Sequence, residues 1–481
     1  MNSKHRVSGS SAVNVDGNQS RTGAVQNIWR TQQLLTNDKY GSITLRNVSV
    51  AHLGGMHNSG ARFSNEEVDT AVSAHKPYIN TYRDDMFPFI CAGAKGKYMY
   101  LVPISGENKG MVLQVYDAFN SYGVASAVGH ANDDIIDVAV AQMRRGGVVA
   151  PSFYTPSKAA LSEYLLSESG IFSKLLPGYN FYMLSSGSES NDAALKLACE
   201  YQTSVGEYEK RNVIIAMKDG FHGRTGFAIN LNEKPYVSEG FPKISQKVVF
   251  VKFGDVQSLE TAFKENVGRV LSVHFEPVQG ETGVIVPKKE YFERMRNLCS
   301  ADGAVMVADE VQTFARTGQW FASIGLGSTP DIIVTGKISS AALVPASLIY
   351  TRPDITFGEH RHGNTYTGNP LACEVTLATF RHIEENNLLD NSRNVGEYLM
   401  GSLRETLGDK VVEVRGMGGM IGIQLDKSLS DEQIWDYCLK AVENGLLITP
   451  TGKALRILLP LSITRPEADM IVGVLGKVLQ N

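Results

Sequence analysis

Between about residue 150 and residue 350 the chain alternates short, wholly apolar runs with helical stretches, and nothing else in it restricts the fold so strongly. The runs are "NVIIAM", "KVVFVKF", "VLSVHFEP", "AVMVADEV", "DIIVTGK" and "PASLIYT". Each is too short for a helix and too apolar for a half-exposed strand, so each predicts a strand buried on both faces. Helical patterns such as "ESNDAALKLACEYQTSVG" and "KKEYFERMRNLCSADG" lie among them. That order predicts an α/β domain with a largely parallel sheet, whose ligands sit beyond the carboxyl ends of the strands.

Around this centre the pattern changes twice. "GKYMYLV" and "MVLQVYDAF" predict two strands joined by the turn "ISGENKG". From about 366, two helices, a strand–turn–strand unit, a third helix, two further apolar runs and a final helix predict a smaller α+β unit. The expected division is therefore residues 1–70 as a partly disordered tail, 71–150 as a lead-in and N-terminal part of the small domain, 151–365 as the large domain and 366–481 as the small C-terminal domain.

A net charge of −4 gives no electrostatic reason to expect nucleic acid or an anionic membrane as partner. No apolar run reaches the length of a membrane span. Cys91, Cys199, Cys299, Cys373 and Cys438 are scattered and odd in number. They predict neither a disulfide framework nor a structural zinc site, and fit a reducing compartment. The polar, Ser-rich N-terminal stretch lacks the apolar core of a secretory signal; a mitochondrial transit peptide is the alternative, and with no amphipathic apolar face cytoplasm is the expected location.

The chemistry stands at the strand ends. "DIIVTGK" delivers Lys337 behind Gly336; "AVMVADEVQT" delivers Asp309 and Gln312; "VLSVHFEPVQGETG" delivers Glu276 and Glu281; "NVIIAMKDGFHGRT" delivers Phe221, His222 and Arg224. Parallel neighbours would converge these groups on one cleft. There is no Cys/His cluster for a metal and no Gly-x-Ser-x-Gly nucleophile elbow. Gly187 and Ser188 open a helix in "SSGSESNDAALK", where free backbone N–H groups and a hydroxyl suit a phosphate. A phosphate cradle, a lysine and a strand-end carboxylate together point to pyridoxal phosphate. Its aldehyde needs a primary amine, and its pyridine nitrogen needs a carboxylate to stay protonated.

The stretches "SSGSESNDAALKLA", "FHGRTG", "EPVQGETG", "ADEVQTFARTGQWFA", "PDIIVTGK", "HGNTYTGNPLACE" and "LRILLPL" resemble, in order and approximate spacing, the class III (ω-amino acid) pyridoxal-phosphate aminotransferases of fold type I, the ornithine and 4-aminobutyrate type. The resemblance implies a homodimer with active sites at the interface. It implies that Lys337 forms the internal aldimine and shuttles the proton. Asp309 pairs with the pyridinium nitrogen, Val311 and Phe221 cover the two ring faces, and Gln312 bonds near the phenolic oxygen. Gly187 and Ser188 hold the phosphate, completed by Thr365 of the neighbouring subunit. His222 and Glu276 belong to the cofactor site without a catalytic role. Arg224 binds the distal carboxylate, Arg456 the α-carboxylate of a donor such as glutamate, and Glu281 neutralises Arg456 when an ω-amine is bound. Tyr122 is expected to line the substrate pocket. No metal is expected.

Two departures stand out. Gln312-Thr313 runs into Phe314 where the family has glycine, and Ala341-Ala342 replaces the usual glycine pair after the lysine. The expected reaction is transfer of a terminal amine, from ornithine, lysine, 4-aminobutyrate or diaminobutyrate, to a 2-oxo acid such as 2-oxoglutarate. A racemase, aminomutase or decarboxylase on the same fold is the alternative enzyme. A binding protein on a relict fold is the alternative of a different kind.

Overall fold

The computed structural model describes residues 62–75, 87–120 and 128–480. The expected apolar runs become strands β5 (Val213–Met217), β6 (Lys247–Val251), β7 (Val270–Phe275), β8 (Val305–Asp309), β9 (Ile332–Thr335) and β10 (Ser347–Thr351), joined by β4 (Asn180–Leu184). They form one seven-stranded sheet in the order β4-β10-β9-β8-β7-β5-β6. The pairs β5–β6, β5–β7, β7–β8 and β8–β9 are parallel, and β10 runs antiparallel to both its neighbours.

Helices cover both faces, which is why the runs are apolar throughout. On one face Val305, Val307, Ile332 and Val334 pack against Ala193, Ala194, Leu197 and Ala198 of the helix Gly187–Ser204. On the other, Ile215, Val273, Phe275 and Met306 pack against the helices Val256–Glu265 and Lys289–Asp302.

A second core holds the smaller unit. β11 (Glu413–Met417), β12 (Met420–Gln424), β15 (Ala454–Leu458) and β14 (Thr449–Thr451) make a four-stranded sheet in that order. The helices Leu388–Leu407, Asp431–Glu443 and Arg465–Val478 pack on it. The N-terminal β1 (Phe89–Lys95), β2 (Tyr98–Pro103) and β3 (Leu113–Asp117) form a third sheet. It is extended by β13 (Leu446–Leu447), which pairs in parallel with β3. The chain therefore returns from its far end to complete a sheet begun at its start.

One segment packs differently from the division expected on sequence. The helix Pro370–Glu385 lies C-terminal to the expected boundary at 366. Its Val375, Phe380 and Ile383 nevertheless share a core with Phe172, Phe314 and Tyr350 of the large unit. Part of the expected tail is ordered as the helix Asn65–His75, where Phe63 and Val68 bury against Val102. Among the described residues no helix is long and apolar enough to cross a membrane.

Candidate active site

Because β5, β7, β8 and β9 are parallel neighbours, their carboxyl ends open on one side, and a cavity of about 430 Å3 lies there. Gly187, Ser188, Phe221, His222, Glu276, Asp309, Val311, Gln312 and Lys337 all line it.

Lys337 follows β9 after an extended Gly336 and has a positive φ of 46°. A left-handed lysine is strained, and the turn it starts carries two more left-handed residues, Ala341 (φ 49°) and Ala342 (φ 59°). The Ser340 hydroxyl closes this turn on the Val344 carbonyl at 2.5 Å, which sets Leu343 and Val344 in the cavity wall. Burial pushes the Lys337 ammonium below its ordinary range, opposed by Glu281 and Asp309.

Asp309 ends β8. Its Oδ2 accepts from Asn191 Nδ2 at 2.7 Å and from His222 Nδ1 at 2.9 Å, while Oδ1 accepts from the Val311 N–H at 3.0 Å. Three donors fix the carboxylate and leave the remaining lone pair of Oδ1 for a group in the cavity. The next residue, Glu310, points to the opposite face. It bonds Ser323, the Ala322 N–H and Thr313, pinning the loop after β8 from behind.

The cradle end is built by close approach. A methyl group on Gly187 would lie 2.7 Å from Val311 Cγ2, and one on Gly223 would lie 2.3 Å from Ser188 Oγ. Gly223 also has a φ of +112°. Neither position admits a side chain without displacing the groups that line the site. Ser186 caps the helix Gly187–Ser204 by accepting from the Glu189 N–H, so the N–H groups of Gly187 and Ser188 are left for a ligand.

Glu276 accepts from the Phe221 N–H at 2.9 Å. Burial, with His222 opposing and Asp309 adding, pushes its carboxyl up to about 7. Glu281 lies on the hairpin after β7 that is closed by Gln279 and Ile285. Its Oε1 meets Arg456 Nη1 at 2.5 Å and Gln312 Nε2 at 3.2 Å. Burial works to raise the Glu281 carboxyl, but Arg456 outweighs it, with Lys337 and Gln312 adding, and holds it down to about 2. Arg456 comes from β15 and is 2% exposed; the ion pair does not line the cavity itself but is joined to it by Gln312.

The remaining expected residues lie elsewhere. Arg224 is exposed and stacks over the Phe221 ring at 5.3 Å. Thr365 is exposed in a turn and does not line the cavity. Tyr122 lies outside the described residues. Sequence reading missed Asn191. Its signal was a polar residue three positions before Ala194 and seven before Ala198, on the buried face of its helix. It also missed Leu343 and Val344, which carry no chemical signal.

The family Aminotransferase class-III matches residues 83–479. The chain is 34% identical to the acetylornithine aminotransferase of Methanosarcina acetivorans over 72% of this chain and 83% of that one. It is 32% identical to the mitochondrial ornithine aminotransferase of Rattus norvegicus over 82% of this chain and 87% of that one. Among solved structures, the ornithine aminotransferase of Toxoplasma gondii, with pyridoxal phosphate at partial occupancy in its active site, superposes with a TM-score of 0.76 at 26% identity. The match covers 90% of this chain and 97% of that one.

Proposed function

The chain belongs to the class-III aminotransferases, and from that premise we propose that it moves the terminal amine of an amino acid to a 2-oxo acid, with Lys337 as the reacting amine. It is a pyridoxal-phosphate enzyme of fold type I. The residues present fit that cofactor. The cradle at Gly187 and Ser188 suits its phosphate, Val311 and Phe221 suit the faces of its ring, and Asp309 Oδ1 suits its nitrogen. Gln312 Oε1 is buried without a hydrogen-bond partner among the described residues, as expected of an atom reserved for a bound group.

Bound there, pyridoxal phosphate supplies an electron sink for the carbon that bears the amine. The chain's own residues do the rest. Asp309, held by three donors, keeps a negative charge facing the ring nitrogen. Lys337 Nζ, its neutral form favoured by burial, takes the proton from the substrate carbon and returns it on the other side of the reaction. Phe221 and Val311 exclude water from the two ring faces.

The observation that carries the terminal-amine reading is the Glu281–Arg456 pair. A site that accepts both a dicarboxylate and an ω-amine must cover a buried cation when the second carboxylate is absent. Glu281, on a hairpin loop and 29% exposed, can swing aside and bare Arg456 for the α-carboxylate of glutamate. Ornithine, acetylornithine or a similar ω-amine is the donor and 2-oxoglutarate the acceptor. The two relatives named above support the donor class. We place the enzyme in the cytoplasm as a homodimer. The two halves of that dimer would bring Thr365 of one subunit to the phosphate of the other.

The test is an absorbance spectrum of the purified protein with pyridoxal phosphate, before and after L-glutamate, ornithine, N-acetylornithine, lysine and 4-aminobutyrate in turn. Loss of the visible band with glutamate and with one ω-amine is expected. A band that survives all of them, while product forms from a single amino acid, would replace this reading with a racemase or mutase. A Lys337→Ala protein is expected to show no such band.

A further inference from the structure

Behind Asp309 the buried polar groups do not stop. Along β7 the side chains alternate, so Ser272, His274 and the following Glu276 share one face. Ser272 pairs with Val305 and His274 with Val307 on β8, two and one positions of the same alternation away from Asp309. This face is otherwise the apolar underside of the helix Gly187–Ser204. A histidine and a serine placed there lose hydration and pack no better than valine, so their bonds must offset that cost.

Those bonds form a nearly complete line. His274 Nε2 lies 3.0 Å from Ser272 Oγ, and His222 Nδ1 lies 2.9 Å from Asp309 Oδ2. Two ring nitrogens remain, His222 Nε2 and His274 Nδ1. Both are buried and neither has a hydrogen-bond partner among the described residues. The two rings meet edge to face with centroids 6.4 Å apart. That is too far for a direct N–H···N bond, and it suits a single water, which spans roughly 4–5 Å between its partners.

The polarity of the line is fixed at its ends. Asp309 only accepts, so His222 Nδ1 carries a proton. For His274 Nδ1 to accept, its own proton sits on Nε2 and is donated to Ser272. We propose that His274 is a positioning residue for the cofactor site: one bridging water accepts from the second N–H of His222, at Nε2, and donates to His274 Nδ1, and so holds His222 as the cation that faces Asp309.

The surroundings agree. Burial disfavours a charged His222, but the bond to Asp309 and the nearby Glu276 outweigh it and raise the ring above its ordinary value. His274 goes the other way. Burial and the neighbouring His222 push it down to about 3, which keeps it a neutral acceptor. Asp309 from β8, Glu276 from the end of β7 and His274 from β7 are the titratable groups that bear on His222 among the described residues. A cation there draws charge from Asp309 and keeps the carboxylate from taking the proton of the group it faces. This consequence rests on the reading of Asp309 as partner of the ring nitrogen; the coupling of the two histidines does not.

The experiment follows histidine side-chain nitrogens by NMR in the 15N-histidine-labelled protein, with and without pyridoxal phosphate, across pH. The parent, His274→Leu and His274→Gln are compared, with a thermal melt to establish folding. In the parent, both His222 nitrogens are expected to stay protonated to higher pH than those of a free imidazole. In His274→Leu the His222 midpoint falls by about one unit, and His274→Gln, whose amide oxygen can accept, restores most of it. The visible band of the bound cofactor is expected to shift its pH dependence in the same order. Identical His222 titrations in all three proteins overturn the proposal. A His222 shift without any movement of the visible band supports the coupling and overturns the placement of Asp309 at the ring nitrogen. If His274→Leu does not fold, Ser272→Ala, which frees the far end of the line, is expected to lower the His222 midpoint by a smaller amount, and no change there overturns the proposal.

Discussion

Glu276 lines the cavity and Glu281, five residues on, bonds the cavity residue Gln312, yet their surroundings drive the two carboxyls in opposite directions. Glu281 has an arginine in contact and is held at about 2; Glu276 has only a backbone N–H and is pushed up to about 7. Removing Glu281 uncovers a guanidinium that is 2% exposed. Glu281→Ala is expected to lower kcat/KM for the ω-amine donor by on the order of tenfold to a hundredfold, and to change that for glutamate by less than about threefold. Steady-state kinetics with both donors check this, and equal losses for the two would remove the gate from the account. Glu276 predicts a pH effect. Its folded value lies above its unfolded value near 4.5, so its contribution to stability is full below 4.5 and is lost as pH rises through about 7. Glu276→Gln is accordingly expected to leave Tm unchanged near pH 4.5 and to raise it at pH 8, measured by thermal unfolding of the two proteins at both pH values.

At the scale of an element, the turn after Lys337 decides the shape of the cavity. Ala341 and Ala342 both sit at positive φ, where a side chain costs roughly 1 kcal/mol and glycine costs nothing beyond its own chain entropy. The chain keeps the methyl groups nevertheless, and the turn they stiffen carries Leu343 and Val344. The double variant Ala341→Gly, Ala342→Gly is expected to raise Tm by about 1–4 °C by relieving the strain. It is also expected to broaden the range of donors accepted, because the apolar wall is no longer held in place. A melt and a donor panel read the two effects separately. A lower Tm would mean that the alanines are not strained in the protein.

For the whole molecule, the cavity depends on several distant parts of the chain. β15 supplies Arg456, β7 and its hairpin supply Glu281, and the turn with Thr365 stands outside. Tyr154, Tyr236, Phe153 and Tyr366 are large apolar side chains more than half exposed. If Thr365 serves the partner's phosphate, Thr365→Ala homodimers bind pyridoxal phosphate about tenfold more weakly. Heterodimers of Lys337→Ala with Thr365→Ala subunits then regain one native site. Co-expression with two tags and titration of the visible band measure it. No regained site would return Thr365 to its own subunit.

What the sequence determined by itself follows from local rules. Short apolar runs between helices read as buried strands, and Gly187 and Ser188 opening a helix read as room for a ligand at its N-terminus. Six of the seven strands were therefore legible, β4 being the exception, and nine of the expected residues do line one cavity. Tertiary structure alone decided how these pieces meet. Nothing local in the helix Pro370–Glu385 says which of two cores its apolar face will enter, and it enters the large one. Nothing local in His274 separates a ligand from a satisfied core residue until Ser272, His222 and Asp309 fall into line behind it. Patterning acts over a few residues, but which groups share a buried face depends on strand order and register, which contacts between residues far apart in the chain decide.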